Sequence, residues 1–155
     1  MKQYLIDTFR FNDWANKLTL EAMRKMPDGK ESVNLFSHII RAQDKWMRRV
    51  EKDPAETEIK WFNTAYPAEE LTALWDASLN DWLKFLSGLK DEELNKQIRF
   101  APMPDEPKGV NQLIDVVLQL NYHSILHRAQ ICLRLHDQGL EAPHVDYIYY
   151  VQKKM

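Results

Sequence analysis

The chain has 155 residues, a length at which one domain can bury a hydrophobic core of its own. Its 21 basic and 23 acidic side chains give a formal net charge of −2, which argues against a protein that binds nucleic acid through its phosphates. A single cysteine excludes an internal disulfide framework. We therefore expect a single domain over residues 1–155 with no nucleic acid as partner.

The N-terminal segment reads MKQYLIDTFRFNDW, which is too polar for the core of a signal peptide. No apolar run in the chain approaches the roughly 18 residues that a membrane-spanning helix needs. We therefore expect a cytoplasmic protein with no membrane partner.

Four segments place apolar residues at the helical spacing of three and four. Proline and glycine mark their boundaries: Pro27 and Pro54 follow the first two segments, Pro67 suits the first turn of the third, and Gly139 follows the fourth. The pattern predicts helices over about residues 2–26, 30–51, 67–88 and 109–138.

The stretches between these segments differ in character. Residues 55–66 show no clear period and are expected to form a loop that packs with its aromatic side chains. Residues 97–100 could form a short extended piece, whereas three prolines within 101–107 exclude a continuous helix. The tail at 145–151 is aromatic enough to dock on the body of the protein. With no convincing sheet, the sequence predicts an all-α protein, a four-helix bundle with a long crossover connection.

A small basic cluster surrounds Trp46 on the second predicted helix. It consists of Lys45, Arg48 and Arg49, and acidic neighbours dilute its charge. We interpret the cluster as a solvated helix face.

Two histidines, His123 and His127, stand four residues apart on the fourth predicted helix. Because a helix turns about 100° per residue, both imidazoles lie on one face and can converge on one metal ion. A third histidine, His38, faces inward on the second helix, on the same stripe as Ala42 and Trp46. Three imidazoles from two helices leave coordination positions open, which is typical of a catalytic metal site. The alternative interpretation is three hydrogen-bonded core histidines.

Other candidate residues carry weaker signals. Gln130 lies one turn past His127 and is either a contact of the site or an ordinary polar residue between helices. Cys132 points away from the histidine pair and is interpreted as a packing thiol, while His136 and His144 suit surface positions. The chain contains no glycine-rich phosphate loop, nucleophile elbow or HExxH motif.

Four segments, in order, resemble those of the DinB-like (DinB/YfiT-like) metalloprotein family. HSILHRAQI at 123–131 resembles the family motif HxxxHRGQI, and FNDWAN at 11–16 resembles YNxWAN in the first helix. SHIIRAQDKW at 37–46 resembles HIxxxxxxW in the second helix, and DYIYYV at 146–151 is similar to the family's ending. One departure is Ala129, which stands where the family often has glycine.

This resemblance implies a four-helix bundle in which His38, His123 and His127 bind a divalent metal ion, usually zinc or nickel, with water completing the coordination. Relatives include thiol-dependent S-transferases and a mycothiol-dependent isomerase, and homodimers are common among them. The expected function is therefore that of a metal-dependent enzyme acting on a small-molecule substrate, a transferase that activates a low-molecular-weight thiol. Two alternatives stay open: a metal-dependent hydrolase, and a non-catalytic metal-binding or interaction protein.

We further expect the mouth of the pocket to be formed by the loop 55–66 and the proline-rich segment 101–107, with the first helix nearby. Asn12, Trp14 and Asn16 of that helix either line the pocket or pack the helix against its neighbours.

Overall fold

Helices dominate the computed structural model of the chain, which describes residues 1–61, 65–100 and 109–152. The expectation of an all-α protein is therefore confirmed in its main feature. None of the helices in these ranges is both long and apolar enough to cross a membrane. The α-helices are α1 (Lys2–Met23), α2 (Lys30–Glu51), α3 (Leu71–Gly88), α4 (Leu113–Asp137) and α5 (Tyr147–Val151), and short 3-10 helices cover Pro54–Glu58, Ala68–Glu70 and Asp91–Asn95.

α2 ends at Glu51, and the chain then reverses direction and runs back along the same helix. Lys52 adopts a left-handed conformation with φ of 60°, and its N–H bonds to the carbonyls of Arg48 and Arg49. The side chain of Asp53 then accepts a hydrogen bond from the N–H of Ala55 and caps the short helix that follows. The segment 54–61 consequently lies beside α2.

A two-stranded antiparallel sheet joins the end of the 3-10 helix Asp91–Asn95 to α4. Its strands are β1 (Gln97–Phe100) and β2 (Gly109–Gln112), with Gln97 opposite Gln112 and Phe100 opposite Gly109. The extended piece at 97–100 is confirmed. The prediction that no sheet forms and that the fourth helix begins near 109 was wrong, because residues 109–112 bond to β1 and α4 begins only at Leu113.

Four long helices enclose the core. α1 and α2 each pack against both α3 and α4, which gives the order α1, α3, α2, α4 around the core. Trp75 and Trp82 of α3 are fully buried in the core, and each indole N–H donates a hydrogen bond. Trp75 donates to Oδ1 of Asp13 at 3.0 Å, and Trp82 donates to the carbonyl of Gln43 at 3.1 Å. The order of the four helices places α2 beside α4, and these two helices carry the candidate site.

The aromatic tail docks on α1, as the sequence predicts. The ring of Tyr147 meets that of Phe11 edge-on at 5.2 Å between centroids. The ring of Tyr150 lies 5.7 Å from Phe11 and 5.5 Å from Trp14. α5 therefore covers one side of α1.

Candidate metal centre

The structure brings three imidazoles together between α2 and α4. Nε2 of His123 lies 3.1 Å from Nε2 of His38 and 3.0 Å from Nε2 of His127. His38 comes from the middle of α2, and the other two lie one turn apart on α4. These are the three residues that the helical spacing singled out, and together they form a group that could hold a metal ion.

Hydrogen bonds on the far side of two rings determine which nitrogen faces the cluster. Nδ1 of His38 lies 2.9 Å from the carbonyl oxygen of Trp61. Nδ1 of His127 lies 2.7 Å from Oε1 of Gln130. Because these oxygens can only accept, both Nδ1 atoms carry the proton and both Nε2 atoms present a lone pair. Gln130 thus contacts the site, the first of the two roles considered for it.

The donor set fits a divalent cation. An ion about 2.0–2.1 Å from each nitrogen, at angles of about 90–110°, separates the nitrogens by about 2.8–3.4 Å, a range that includes the two distances given above. Without a cation, the lone pairs of His38 and His127 both face His123, whose Nε2 has at most one proton to share. Imidazole nitrogen is a ligand that suits zinc and nickel.

Burial keeps His38 and His123 in the form that binds metal. Removal from water, reinforced by His127 and His38, lowers the pKa of His123 from 6.5 to about 4. Burial also lowers the pKa of His38, although its bond to the Trp61 carbonyl acts in the opposite direction. Both rings are therefore neutral at pH 7, as metal coordination requires.

A cavity of about 230 Å³ opens beside the histidines, with His38 and His123 in its wall. Its other described lining residues are Ala42, Trp46, Trp61, Gln119 and Leu120. Trp61 belongs to the segment 55–66 that was expected at the mouth, whereas residues 62–64 and 101–107 lie outside the described residues. None of the described lining residues comes from α1.

The polar residues of α1 pack against α4 instead of lining this cavity. Nη1 of Arg128 donates to Oδ1 of Asn12 at 2.9 Å and to Oδ1 of Asn16 at 2.8 Å, and all three residues are buried. Trp14 packs against the aromatic tail. Of the two roles considered for these α1 residues, the structure supports packing. Arg128, which the sequence argument did not single out, sits at the centre of this network.

The interpretation of the basic cluster on α2 as a solvated face was wrong for two of its three members. Lys45 is only 7% exposed and Arg49 only 5%. The segment that follows α2 covers both side chains and supplies Glu56 as an ion-pair partner for each of them. Arg48 is partly exposed, and it pairs with Asp53.

Sequence comparison places the chain in a family. The sequence profile of the DinB superfamily matches residues 8–131, a range that covers well over half of the chain and contains all three histidines. No curated protein and no solved structure matches the chain. The chain therefore belongs to the DinB superfamily.

Proposed function

We propose that this protein is a metal-dependent enzyme in which His38, His123 and His127 hold one divalent ion, zinc or nickel. We further propose that it is a transferase for a low-molecular-weight thiol. The observation that carries the proposal is the convergence of three imidazole nitrogens beside a cavity, with His38 and His123 in its wall. Membership of the DinB superfamily supports the same function.

The residues around the cluster have separable roles in this proposal. The Trp61 carbonyl and Gln130 orient two of the rings. An ion bound there supplies Lewis acidity, which lowers the pKa of a thiol or of water. Trp46 and Trp61 give the cavity apolar walls that exclude water, and Gln119 offers an amide that can orient a polar group of the substrate.

The intrinsic pKa of the nucleophile supports a thiol over water in this proposal. A thiol has a much lower intrinsic pKa than water, so it reaches its reactive anionic form more readily at the same ion. The two tryptophans suit an apolar or aromatic electrophile as second substrate.

We also propose that the four long helices form a single-domain four-helix bundle with a long crossover connection, and that two copies associate. Exposed apolar side chains on α1, α4 and α5 support a homodimer; they include Tyr4, Tyr122, Ile125 and Tyr147. Light scattering after size-exclusion chromatography tests the dimer. The expected mass is twice the chain mass of 18.4 kDa, and a monomer at micromolar concentration contradicts this part of the proposal.

Turnover assays test the function itself. Zinc-loaded and nickel-loaded protein are each given a panel of small thiols with a chloro-nitroaromatic electrophile, and in parallel a panel of esters. We expect thiol-dependent product that disappears in His123→Ala and persists in His136→Ala, a variant of an exposed histidine on the same helix. Ester cleavage independent of thiol would make the protein a hydrolase, and no turnover in either panel would place it among binding proteins.

A further inference from the structure

Two buried cations on α2 face the segment 54–61, which follows α2 and carries Trp61. Lys45 and Arg49 lie one turn apart, and both are more than nine-tenths buried. A buried ammonium or guanidinium group is costly unless it is paired and hydrogen-bonded. The partners of these two cations therefore indicate what the buried charges do.

Lys45 binds the backbone of the segment 54–61. Its Nζ donates to the carbonyl of Glu56 at 2.8 Å and to the carbonyl of Ile59 at 2.6 Å. Nζ also lies 3.5 Å from the Glu56 carboxylate. One ammonium group thus binds two carbonyls of the segment to α2. The second of these residues, Ile59, lies two residues before Trp61.

Arg49 holds the same segment through a carboxylate and an aromatic ring. Its Nε donates to Oε2 of Glu56 at 2.9 Å. Its guanidinium carbon lies 5.3 Å from the ring centroid of Trp61, 4.8 Å from that of Trp46 and 4.5 Å from that of Phe100. Arg49 consequently contacts both tryptophans of the cavity wall.

Trp61 links these contacts to the histidine cluster. Its carbonyl accepts a hydrogen bond from Nδ1–H of His38, and its side chain lines the cavity. A backbone carbonyl in a connecting segment stays in place only if the segment is anchored. Lys45 and Arg49 supply that anchor in the described structure.

We propose that Lys45 and Arg49 are positioning residues of the candidate metal site, which act through Trp61 to fix the tautomer and the orientation of His38. The inference rests on the proposed function for its relevance to metal binding. Its structural part, the control of the His38 tautomer, stands or falls independently of any metal.

The first test measures the tautomer in metal-free protein by nitrogen-15 NMR of the imidazole rings. In the wild type we expect His38 to carry its proton on Nδ1 alone. Lys45→Met keeps an unbranched side chain but removes the ammonium, and Arg49→Met does the same for the guanidinium. Both variants are expected to show a mixture of the two His38 tautomers, whereas Arg48→Met, which removes a partly exposed ion pair with Asp53, keeps the wild-type pattern.

The second test measures zinc affinity by chelator competition and the visible spectrum of the cobalt-substituted protein. We expect Lys45→Met and Arg49→Met to bind zinc about 10- to 100-fold more weakly and to change the cobalt spectrum, with Arg48→Met unchanged. Arg49→Lys is expected to recover part of the affinity, because it restores the charge beside Glu56 without the planar fork.

The outcomes separate the two proposals. If the wild type takes up no metal, the proposed function fails, and the tautomer measurement alone decides the positioning role. A folded Lys45→Met protein with the wild-type tautomer of His38 overturns the positioning role whether or not metal binds. If Lys45→Met does not fold, Glu56→Gln replaces it, because that change weakens both cation contacts while keeping the shape of the side chain; an unchanged His38 tautomer there also overturns the proposal.

Discussion

Oε1 of Gln130 lies 2.7 Å from Nδ1 of His127, one turn further along α4, and this contact turns Nε2 of His127 toward His123. The relationship is set within a single helix, since residues three apart share a face. It complements the backbone contact that orients His38 from a separate segment. Two of the three imidazoles are therefore oriented before any ion binds.

Replacing the Gln130 side chain tests this orientation. Gln130→Leu removes the acceptor, so either nitrogen of His127 can then carry the proton, and zinc affinity is expected to fall about 10- to 100-fold. Gln130→Glu keeps an acceptor and is expected to retain or increase the affinity. Gln3→Leu, which loses a surface bond to Asp7, serves as the control. Equal zinc affinity for Gln130→Leu and the wild type would contradict the orienting role.

Arg128 is predicted to support the fold and not the chemistry. Burial lowers its pKa to about 10, so it stays charged at pH 7 while it bridges Asn12 and Asn16. Arg128→Leu leaves Oδ1 of Asn12 without its hydrogen-bond donor. The substitution is expected to lower the free energy of unfolding, measured by urea denaturation, by about 1–3 kcal/mol. Arg10→Leu, at an exposed ion pair, should change it by less than about 1 kcal/mol.

Metal content distinguishes this structural role from a direct one. Arg128→Leu protein that remains folded is expected to bind one zinc ion per chain with wild-type affinity, because its described hydrogen bonds go to α1. A large loss of zinc affinity without a loss of stability would show that Arg128 acts on the histidine cluster.

The stability of the metal-free protein should depend on pH through His123. Its pKa is lowered to about 4 in the folded chain, so between pH 6.5 and 4 the unfolded chain takes up a proton that the folded chain does not. Stability therefore falls as pH falls through this range. Because the ring is partly exposed, we expect a loss of about 1–2 kcal/mol, measured by urea unfolding in the presence of chelator. His123→Asn should lose less stability over the same range, and identical profiles would contradict the assignment.

The two-stranded sheet is predicted to support the cavity wall through Gly109. A Cβ at this position would lie 2.8 Å from the tip of the Phe100 ring. That ring packs on Trp46 at 4.9 Å and on Arg49 at 4.5 Å, so it has little room to move. Gly109→Ala is expected to cost about 1–3 kcal/mol of unfolding free energy and to shift tryptophan fluorescence.

A second glycine provides the matched control for that substitution. A Cβ on Gly88, at the end of α3, has no neighbour within 4 Å. Gly88→Ala should therefore leave stability within about 0.5 kcal/mol of the wild type and leave the fluorescence unchanged. Equal effects of the two substitutions would contradict the packing argument.

The long helices could be predicted from sequence because their apolar spacing persists over many turns and ends at proline or glycine. α2 covers Lys30–Glu51, the range that the pattern predicts. The four-residue strands β1 and β2 are too short to show a period, so the sequence pattern places the β2 residues in the following helix. Pairing with β1 determines the conformation of these residues, and the local sequence pattern does not show that pairing.

The candidate site, like the fold, could be predicted from the sequence only in part. Spacing and helical faces were enough to bring His38, His123 and His127 together. They could not show that Lys45 and Arg49 are buried, because a helical wheel gives the direction of a side chain and not what the next segment places over it. The carbonyl of Trp61 is a backbone atom, and nothing in the residue type signals its bond to His38.

The most direct test of the account is the metal content of protein purified without a polyhistidine tag, measured by inductively coupled plasma mass spectrometry. His38→Ala is compared with the wild type, and His136→Ala serves as the control. The account predicts about one zinc or nickel ion per chain in the wild type and the control, and a loss of that ion in His38→Ala. Wild-type protein that contains no metal and takes none up on dialysis against zinc or nickel would contradict it.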